Sequence, residues 1–419
     1  MASARRILLP GPCHFGQCHL KAIGCRSIVI HSLMSHSPSG IIAVAMSSQP
    51  PKRNVTGRGS SLRVVSRFES VRRIDDEEVI NDPEYIESLG EKVATEYFED
   101  SSNSVVSENN SPDVPFRYSL NPYRGCSHGC SYCYARPTHE YLGLGPGLDF
   151  ESKIIIKPNA AELFRKWLLE GHRKGRAVEP VMISGVTDCY QGCEKEFELT
   201  RQCLEVAIDF RYPVQLITKN ALICRDLDFI GKLASMNLIS VAISVTTLDQ
   251  SLTRIMEPRT SAPVARLDAI KKIADTGCPT MVMVAPIIPG INEQEIPTVL
   301  KAAADAGATR AGYVALRLPL TVEPVFLAWL DQHFPDRKEK VIERVRTMRD
   351  GKMNSSTFGE RMTGKGVWGE QTRQLMTMFC KQYGLDCGVS YGKPTERPKL
   401  RCDLFRVMDN DGNVQGELF

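Results

Sequence analysis

The strongest constraint on the fold is an alternation of strand-like and helix-like hydrophobic patterns between residues 115 and 318. Short, β-branched and almost continuously apolar runs predict six buried strands, at residues 116–120, 181–187, 214–218, 239–246, 280–288 and 312–318. Helical spacing fills the intervals, at residues 160–170, 194–209, 226–234, 264–274 and 296–306. Strands that alternate with helices indicate a parallel sheet covered by helices.

Six strand–helix units are fewer than the eight that close a barrel. We therefore expect an α/β fold in residues 114–321, an open (β/α)6 partial barrel of the TIM type, whose loops at the carboxyl ends of the strands form the active site. Residues 322–390 read as helices without strands and predict a C-terminal helical extension, followed by a tail at 391–419.

The N-terminal part of the chain has an uneven charge distribution. Residues 1–68 carry nine Lys and Arg and no acid, and Glu69 is the first carboxylate. We expect a disordered basic leader there, with an organelle transit peptide, or upstream sequence before an initiator at Met46, as the alternatives. The acidic residues 69–113 predict a solvated linker with one or two helical turns.

Composition excludes two classes of protein. The sequence has no run of uncharged apolar residues long enough for a transmembrane helix, so we expect no membrane-spanning segment. Its 14 cysteines among 419 residues are too few for a disulfide scaffold. The clustering of some of these cysteines therefore needs another explanation.

Cys126, Cys130 and Cys133 follow the first predicted strand with C-x3-C-x2-C spacing. Three thiolates from one glycine-containing loop can bind a soft metal centre, and the absence of a nearby fourth cysteine leaves one coordination position open. A zinc knuckle completed by His128 or His139 is an alternative, and three buried cysteines without a ligand role are another.

The cysteine loop resembles a known family. Its C-x3-C-x-aromatic-C pattern, with Tyr132 as the aromatic residue, is similar to that of the radical S-adenosylmethionine (radical SAM) superfamily. The longer segments NPYRGCSHGCSYCYARPTHEYLG, SGVTDCYQ and ITKN resemble the subgroup related to spore photoproduct lyase, which includes many bacterial proteins of unassigned reaction. This resemblance extends from residue 110 to about residue 390.

The resemblance implies an enzyme with two cofactors. The three cysteines would hold a [4Fe–4S] cluster whose fourth iron binds the amino and carboxylate groups of S-adenosylmethionine. The reduced cluster would split the sulfonium into methionine and a 5′-deoxyadenosyl radical, which takes hydrogen from a substrate. An electron donor such as flavodoxin or ferredoxin is an expected partner.

The resemblance also suggests cofactor-binding residues at the strand ends. Asp188 and Thr187 would face the ammonium of the cofactor, although both could instead cap the following helix. Lys219 would face its carboxylate, with a plain surface lysine as the alternative. Ser244 would contact the ribose unless it is a satisfied core serine.

Three further residues are assigned to the same site. Tyr132 and Tyr134 flank the last cysteine, and Tyr134 is expected to contact the adenine through its backbone. Cys189 is a candidate catalytic hydrogen donor, although spore photoproduct lyases carry that cysteine just upstream of the corresponding acid. Two small core residues, Cys189 and Cys193, are the alternative interpretation.

The substrate class stays open at this stage. Nucleic acid is a candidate substrate by analogy with the photoproduct lyases, and a solvated helix face explains the basic C-terminal helices equally well. A zinc or iron–sulfur nucleic-acid-binding module without radical catalysis is the alternative function, which six βα units disfavour. Because an exposed cluster is labile to oxygen, a reducing cytoplasmic setting is expected.

Overall fold

The structure is a computed structural model, and it describes residues 58–60, 62, 93–387 and 399–407. The strands in this part of the chain are β1 (Glu96–Glu99), β2 (Val106–Glu108), β3 (Tyr118–Leu120), β4 (Tyr123–Arg124), β5 (Lys153–Ile156), β6 (Val181–Ile183), β7 (Val214–Thr218), β8 (Ile239–Ser244), β9 (Thr280–Ile287), β10 (Arg310–Ala315) and β11 (Asp386–Cys387). The α-helices are α1 (Leu148–Ser152), α2 (Ala160–Arg173), α3 (Glu194–Phe197), α4 (Leu199–Asp209), α5 (Leu227–Ser235), α6 (Gln250–Met256), α7 (Pro263–Ala274), α8 (Ile296–Asp305), α9 (Val322–His333), α10 (Lys338–Thr347) and α11 (Gly366–Gln382).

One large sheet forms the centre of the fold. Its strand order is β11-β10-β9-β8-β7-β6-β3-β2, and all neighbours are parallel except β2 and β3. The six predicted strands are β3 and β6 to β10, in chain order from one side to the other. The ends of the sheet are β11 and β2, so the partial barrel expected from the sequence is confirmed.

Each barrel helix packs onto this sheet through one buried apolar face. Phe164, Leu204, Ile230, Ile270 and Leu300 come from five successive barrel helices, and all five are fully buried in the main core. Their partners are the β-branched side chains of the parallel strands, which are apolar because helices cover the sheet. This core fixes the strand ends from which the site is built.

The predicted helix at residues 194–209 is broken into α3 and α4. Glu198 lies between them in the left-handed region, with a φ of 49°. The buried carboxylate of Glu194 accepts the backbone N–H of Thr200 at 3.0 Å, and Arg225 donates to it at 2.7 Å. Glu194 therefore satisfies an N–H group that the first turn of α4 would otherwise leave unpaired.

Two expectations about the N-terminal part are wrong in the residues described. The predicted linker at 69–113 contributes β1, which pairs with β5 in a second sheet of order β1-β5-β4, and β2, which pairs with β3. Arg58, Ser60 and Leu62, from the predicted disordered leader, are buried. Arg58 and β1 are held by partners far along the chain, which local sequence patterns do not reveal, whereas β2 pairs with the nearby β3. The rest of the leader, including Met46, lies outside the described residues.

The C-terminal extension contains α9, α10 and α11, as the sequence predicted, but also β11. This strand has two residues, too few to show a pattern, and it joins the sheet beside β10. Of the predicted tail, residues 399–407 are described, and the backbone of Arg406 donates to the carbonyl of Phe210 at 3.0 Å. Within the described part of the chain, no helix is both long and apolar enough to cross a membrane.

Candidate active site

The cysteine loop lies directly after β3 and β4 and ends at a 3-10 helix, Arg136–Leu142. Cys126 and Cys130 are buried, Cys133 is partly exposed, and all three are free thiols. The backbone N–H of Cys126 donates to the carbonyl of Phe150 at 2.9 Å, which fixes one side of the loop to α1. The structure thus gathers the three predicted ligands in one loop beside the carboxyl end of the first barrel strand.

The surroundings of these thiols affect their ionisation. Burial raises the pKa of Cys126, Cys130 and Cys133, so bound iron would have to stabilise their thiolate forms. No group of three His, Cys, Asp or Glu side chains in the described residues is arranged to hold a single metal ion. Cysteines that ligate separate irons of a cluster do not need to converge on one ion. Three free cysteine thiols in one loop are the kind of donor set that holds an iron–sulfur cluster.

The zinc knuckle considered from the sequence is not assembled. The Nδ1 atom of His128 lies 3.4 Å from the carboxylate of Asp188, and its Nε2 atom lies 3.4 Å from the amide of Asn220. The Nε2 atom of His139 lies 3.0 Å from the carbonyl of Lys153. These ring nitrogens face partners in the surrounding protein.

Asp188 connects the cysteine loop to two strand ends. It follows β6, and it accepts hydrogen bonds from the hydroxyl of Thr218 at 2.7 Å and the backbone N–H groups of Tyr190 at 2.9 Å and Lys219 at 2.8 Å, beside the ring of His128. Burial alone would raise the pKa of Asp188, but the charge and hydrogen bond of His128, with the other donors, lower it to about 2. The carboxylate is thus ionised and largely occupied by the protein itself.

Thr187 lies four residues after β6, which is shorter than the predicted strand, Lys219 directly follows β7, and Ser244 ends β8. The hydroxyl of Thr187 donates to the carbonyl of Tyr123 at 2.7 Å. The Nζ atom of Lys219 lies 6.0 Å from the centre of the Tyr132 ring, over the cysteine loop. Ser244 is buried at the end of β8, where its carbonyl accepts from Arg266 at 3.0 Å.

A buried cluster of polar side chains around Glu257 supports the cysteine loop. The sequence alone did not show which residues pair with Glu257. Glu257 accepts hydrogen bonds from the hydroxyls of Tyr132 and Thr246 and forms an ion pair with Arg266 at 2.5 Å. Burial would raise the pKa of Glu257, but the charges of Arg266 and Lys219 lower it to about 2. The aromatic residue of the cysteine motif therefore anchors the loop to the helix that follows β8.

Tyr134 and Cys189 have contrasting positions. Tyr134 is half-exposed, and its hydroxyl donates to the carbonyl of Gly185 at 2.6 Å, so its side chain bridges from the loop to the end of β6. Cys189 has no exposed surface and packs in the main hydrophobic core. The hydrogen-donor role expected of Cys189 is not supported by this position, and the alternative interpretation as a core residue fits it better.

A groove with a volume of about 510 Å³ opens beside the loop. Its lining includes Asn121 and Thr187, which follow β3 and β6, and Thr138 and Tyr141 from the 3-10 helix. Clefts of this size at the carboxyl ends of strands are common ligand sites.

The fold and the cysteine loop together define a radical SAM enzyme. Residues 120–303 match the family model described as the Radical SAM superfamily, and the chain belongs to this superfamily. Its members use a [4Fe–4S] cluster and S-adenosylmethionine, which are therefore the cofactors of this chain.

The individual relatives are uncharacterized proteins. One, from Mycobacterium tuberculosis, is 36% identical over 239 residues, which are 57% of this chain and 69% of the relative. Another, from Methanocaldococcus jannaschii, is 31% identical over 179 residues, 43% of this chain and 63% of the relative. Among solved structures, spore photoproduct lyase complexed with dinucleoside spore photoproduct is similar in fold, with a TM-score of 0.52 and 17% identity over 70% of this chain and 81% of the lyase.

Proposed function

We propose that this chain cleaves S-adenosylmethionine reductively at a [4Fe–4S] cluster held by Cys126, Cys130 and Cys133, and abstracts hydrogen from a bound substrate. The observation that carries the proposal is the grouping of three free thiols in one loop at the mouth of a six-stranded partial barrel. When held by these cysteines, a reduced cluster would supply the electron that cleaves the sulfonium of S-adenosylmethionine, giving methionine and a 5′-deoxyadenosyl radical.

The protein's own residues would orient the cofactor. Lys219 offers an ammonium above Tyr132, where it can pair with the carboxylate of S-adenosylmethionine. Asp188 places a negative charge beside the loop, which favours the cofactor's ammonium electrostatically while the hydrogen bonds of Asp188 hold the strand ends in place. Tyr134 and Ser244 would border the adenosine.

The reaction that we propose is hydrogen abstraction, and it does not extend to a specific lyase reaction. A lyase-like reaction with an internal thiol donor would need that thiol at the barrel mouth, and Cys189 lies in the core. We propose that the substrate approaches through the groove beside Tyr141 and Thr138. Nucleic acid is one candidate class to include in a substrate screen. The proposed reductant is flavodoxin or ferredoxin. The proposed setting is a reducing cytoplasm, because exposed clusters are labile to oxygen.

The test compares wild type with Cys130→Ala and with Cys203→Ala as the matched control. Each variant is reconstituted anaerobically with iron and sulfide, reduced, and assayed by chromatography for 5′-deoxyadenosine. Cys203 is buried on α4 in the main core, so its replacement should leave cluster binding and cofactor cleavage intact. We expect Cys130→Ala to lose both. Full cleavage by Cys130→Ala, or stoichiometric zinc without a cluster in the wild type, would refute the proposal.

A further inference from the structure

A short stretch from the N-terminal part of the chain, residues 58–60, packs against the cysteine loop at Gly129. Arg58, Ser60 and Leu62 are buried. Gly59 lies against Gly129, which sits between Cys126 and Cys130, and a Cβ atom on Gly59 would overlap the Gly129 carbonyl. The two backbones touch so closely that only glycine fits at position 59 without displacing the loop.

Arg58 fixes this segment in place. Its guanidinium donates to the carbonyl of Glu151 at 2.6 Å, the carbonyl of Val93 at 2.7 Å and the hydroxyl of Thr95 at 3.1 Å. Burial, and then the nearby charge of Arg259, lower the pKa of Arg58 to about 10, which still leaves it charged at neutral pH. Three bonds to two separate parts of the chain, residues 93–95 and Glu151, suit the forked geometry of arginine.

A chain of buried contacts links this segment to a cluster cysteine. The backbone N–H of Gly59 donates to one oxygen of Glu151 at 3.0 Å, and Arg136 donates to the other oxygen at 2.5 Å. The same guanidinium of Arg136 donates to the carbonyl of Cys130 at 2.8 Å. Arg136 and Glu151 are both fully buried.

We infer that residues 58–60 form a wedge that positions the cysteine loop for its cluster, with Gly59 and Arg58 as positioning residues. The wedge limits how far the loop can move back at Gly129, while the Glu151–Arg136 pair holds the Cys130 backbone. This inference rests on the proposed cysteine ligand set, but it also concerns the protein before the cluster is bound.

The first experiment measures thiol reactivity in the full-length chain without its cluster. Wild type, Gly59→Ala and the control Gly231→Ala are treated with iodoacetamide, and modification is followed by peptide mass spectrometry. Gly231 on α5 would accept a Cβ at ordinary contact distance from Thr276. We expect Gly59→Ala to speed the alkylation of Cys130 about tenfold, equivalent to about 1.4 kcal/mol of lost protection, without changing that of Cys203 in the core.

Two outcomes would contradict the wedge. One is a wild-type rate at Cys130 in Gly59→Ala, and the other is an equal increase at Cys203, which would indicate general unfolding. Arg58→Met gives a second variant that removes the hydrogen bonds without adding bulk, and it should increase alkylation in the same loop. Arg58→Lys keeps the charge but not the fork, and should restore the protection only in part.

The second experiment measures the iron content and the electron paramagnetic resonance spectrum of the reduced protein after anaerobic reconstitution. We expect Gly59→Ala to bind less iron than Gly231→Ala and to show an altered spectrum. A wild-type chain that binds no cluster would refute the proposed function, whereas the alkylation result would still decide whether the wedge exists. An unchanged iron content and spectrum in Gly59→Ala would overturn the positioning role.

Discussion

At the scale of single residues, Asp188, for which we propose a role beside the cofactor, also holds parts of the fold together. Its two oxygens accept from Thr218, Tyr190 and Lys219 and lie beside His128. A carboxylate has about four acceptor positions, so most of its capacity is used within the protein. Its proposed electrostatic contribution to a bound cofactor would therefore accompany its role in joining the loop after β6, β7 and the cysteine loop.

We expect Asp188→Asn to destabilise the cluster-free protein by about 1–3 kcal/mol, because the amide presents N–H groups to donors that then lose their acceptor. Urea unfolding under anaerobic conditions measures this loss. Asp268→Asn, an exposed position paired with Lys272, is the control and should leave the stability unchanged. Wild-type stability in Asp188→Asn, with weaker cofactor binding, would instead assign Asp188 to the cofactor alone.

The sequence predicted which residues stand at the strand ends, but only part of what they do. Tyr132 was assigned to the cofactor, yet its hydroxyl is bonded to Glu257, 125 residues further along the chain. Cys189 was considered as a donor from its position beside Asp188, and it turns into the core. Spacing along the chain reports the order of residues at a site, whereas the direction of each side chain is decided by long-range packing.

At the scale of secondary-structure elements, an ion pair joins the segment before β3 to the turn after α10. Arg361 donates to the buried Asp113 at 2.6 Å through Nε and at 2.5 Å through a terminal nitrogen. Burial by itself would raise the pKa of Asp113, but the hydrogen bonds and charge of Arg361 bring it below the ordinary value of 3.8. This pair holds the C-terminal extension against the start of the barrel.

The lowered pKa gives this pair a predictable pH dependence. Because the folded chain binds the Asp113 proton less tightly than the unfolded chain, the stabilisation is complete above pH 3.8 and is lost as the pH falls below it. We expect Asp113→Asn to cost about 1–3 kcal/mol at pH 7, with the difference from wild type shrinking below about pH 4. Denaturant titrations at several pH values measure it, with Asp331→Asn as an exposed control. A difference that stays constant down to pH 3 would contradict this assignment.

The strands and helices could be predicted where their hydrophobic pattern covers several residues of one continuous segment. The parallel strands β7, β8 and β9 have nearly the predicted bounds, because a strand covered on both faces must be apolar along its length. The strands β1 and β4 were missed, since EYFE and YR are short and mixed in polarity. Their pairing with β5 depends on distant residues, as does the pairing of β11 with β10.

At the scale of the whole molecule, the linear strand order implies a gradient of local stability. β7 and β8 are central, buried and paired on both sides, whereas β11 is a two-residue strand at one end of the sheet. We expect the amides of β7 and β8 to exchange at rates set by global unfolding and those of β11 to exchange as rapidly as fraying ends. Hydrogen-exchange mass spectrometry of the cluster-free protein tests this, and equal protection in β11 and β8 would contradict it.

The contact between Arg58 and Glu151 joins residues 93 positions apart, with the three cysteines between them in the chain. During synthesis the wedge leaves the ribosome first, the thiols follow, and the carboxylate that connects them emerges last. At ordinary translation rates roughly 5–20 s separate the two ends of this contact. Because Glu151 follows Cys133 by 18 residues, the thiols emerge roughly 1–4 s before the carboxylate that backs them. We expect the proposed cluster site to be completed only after Glu151 has emerged.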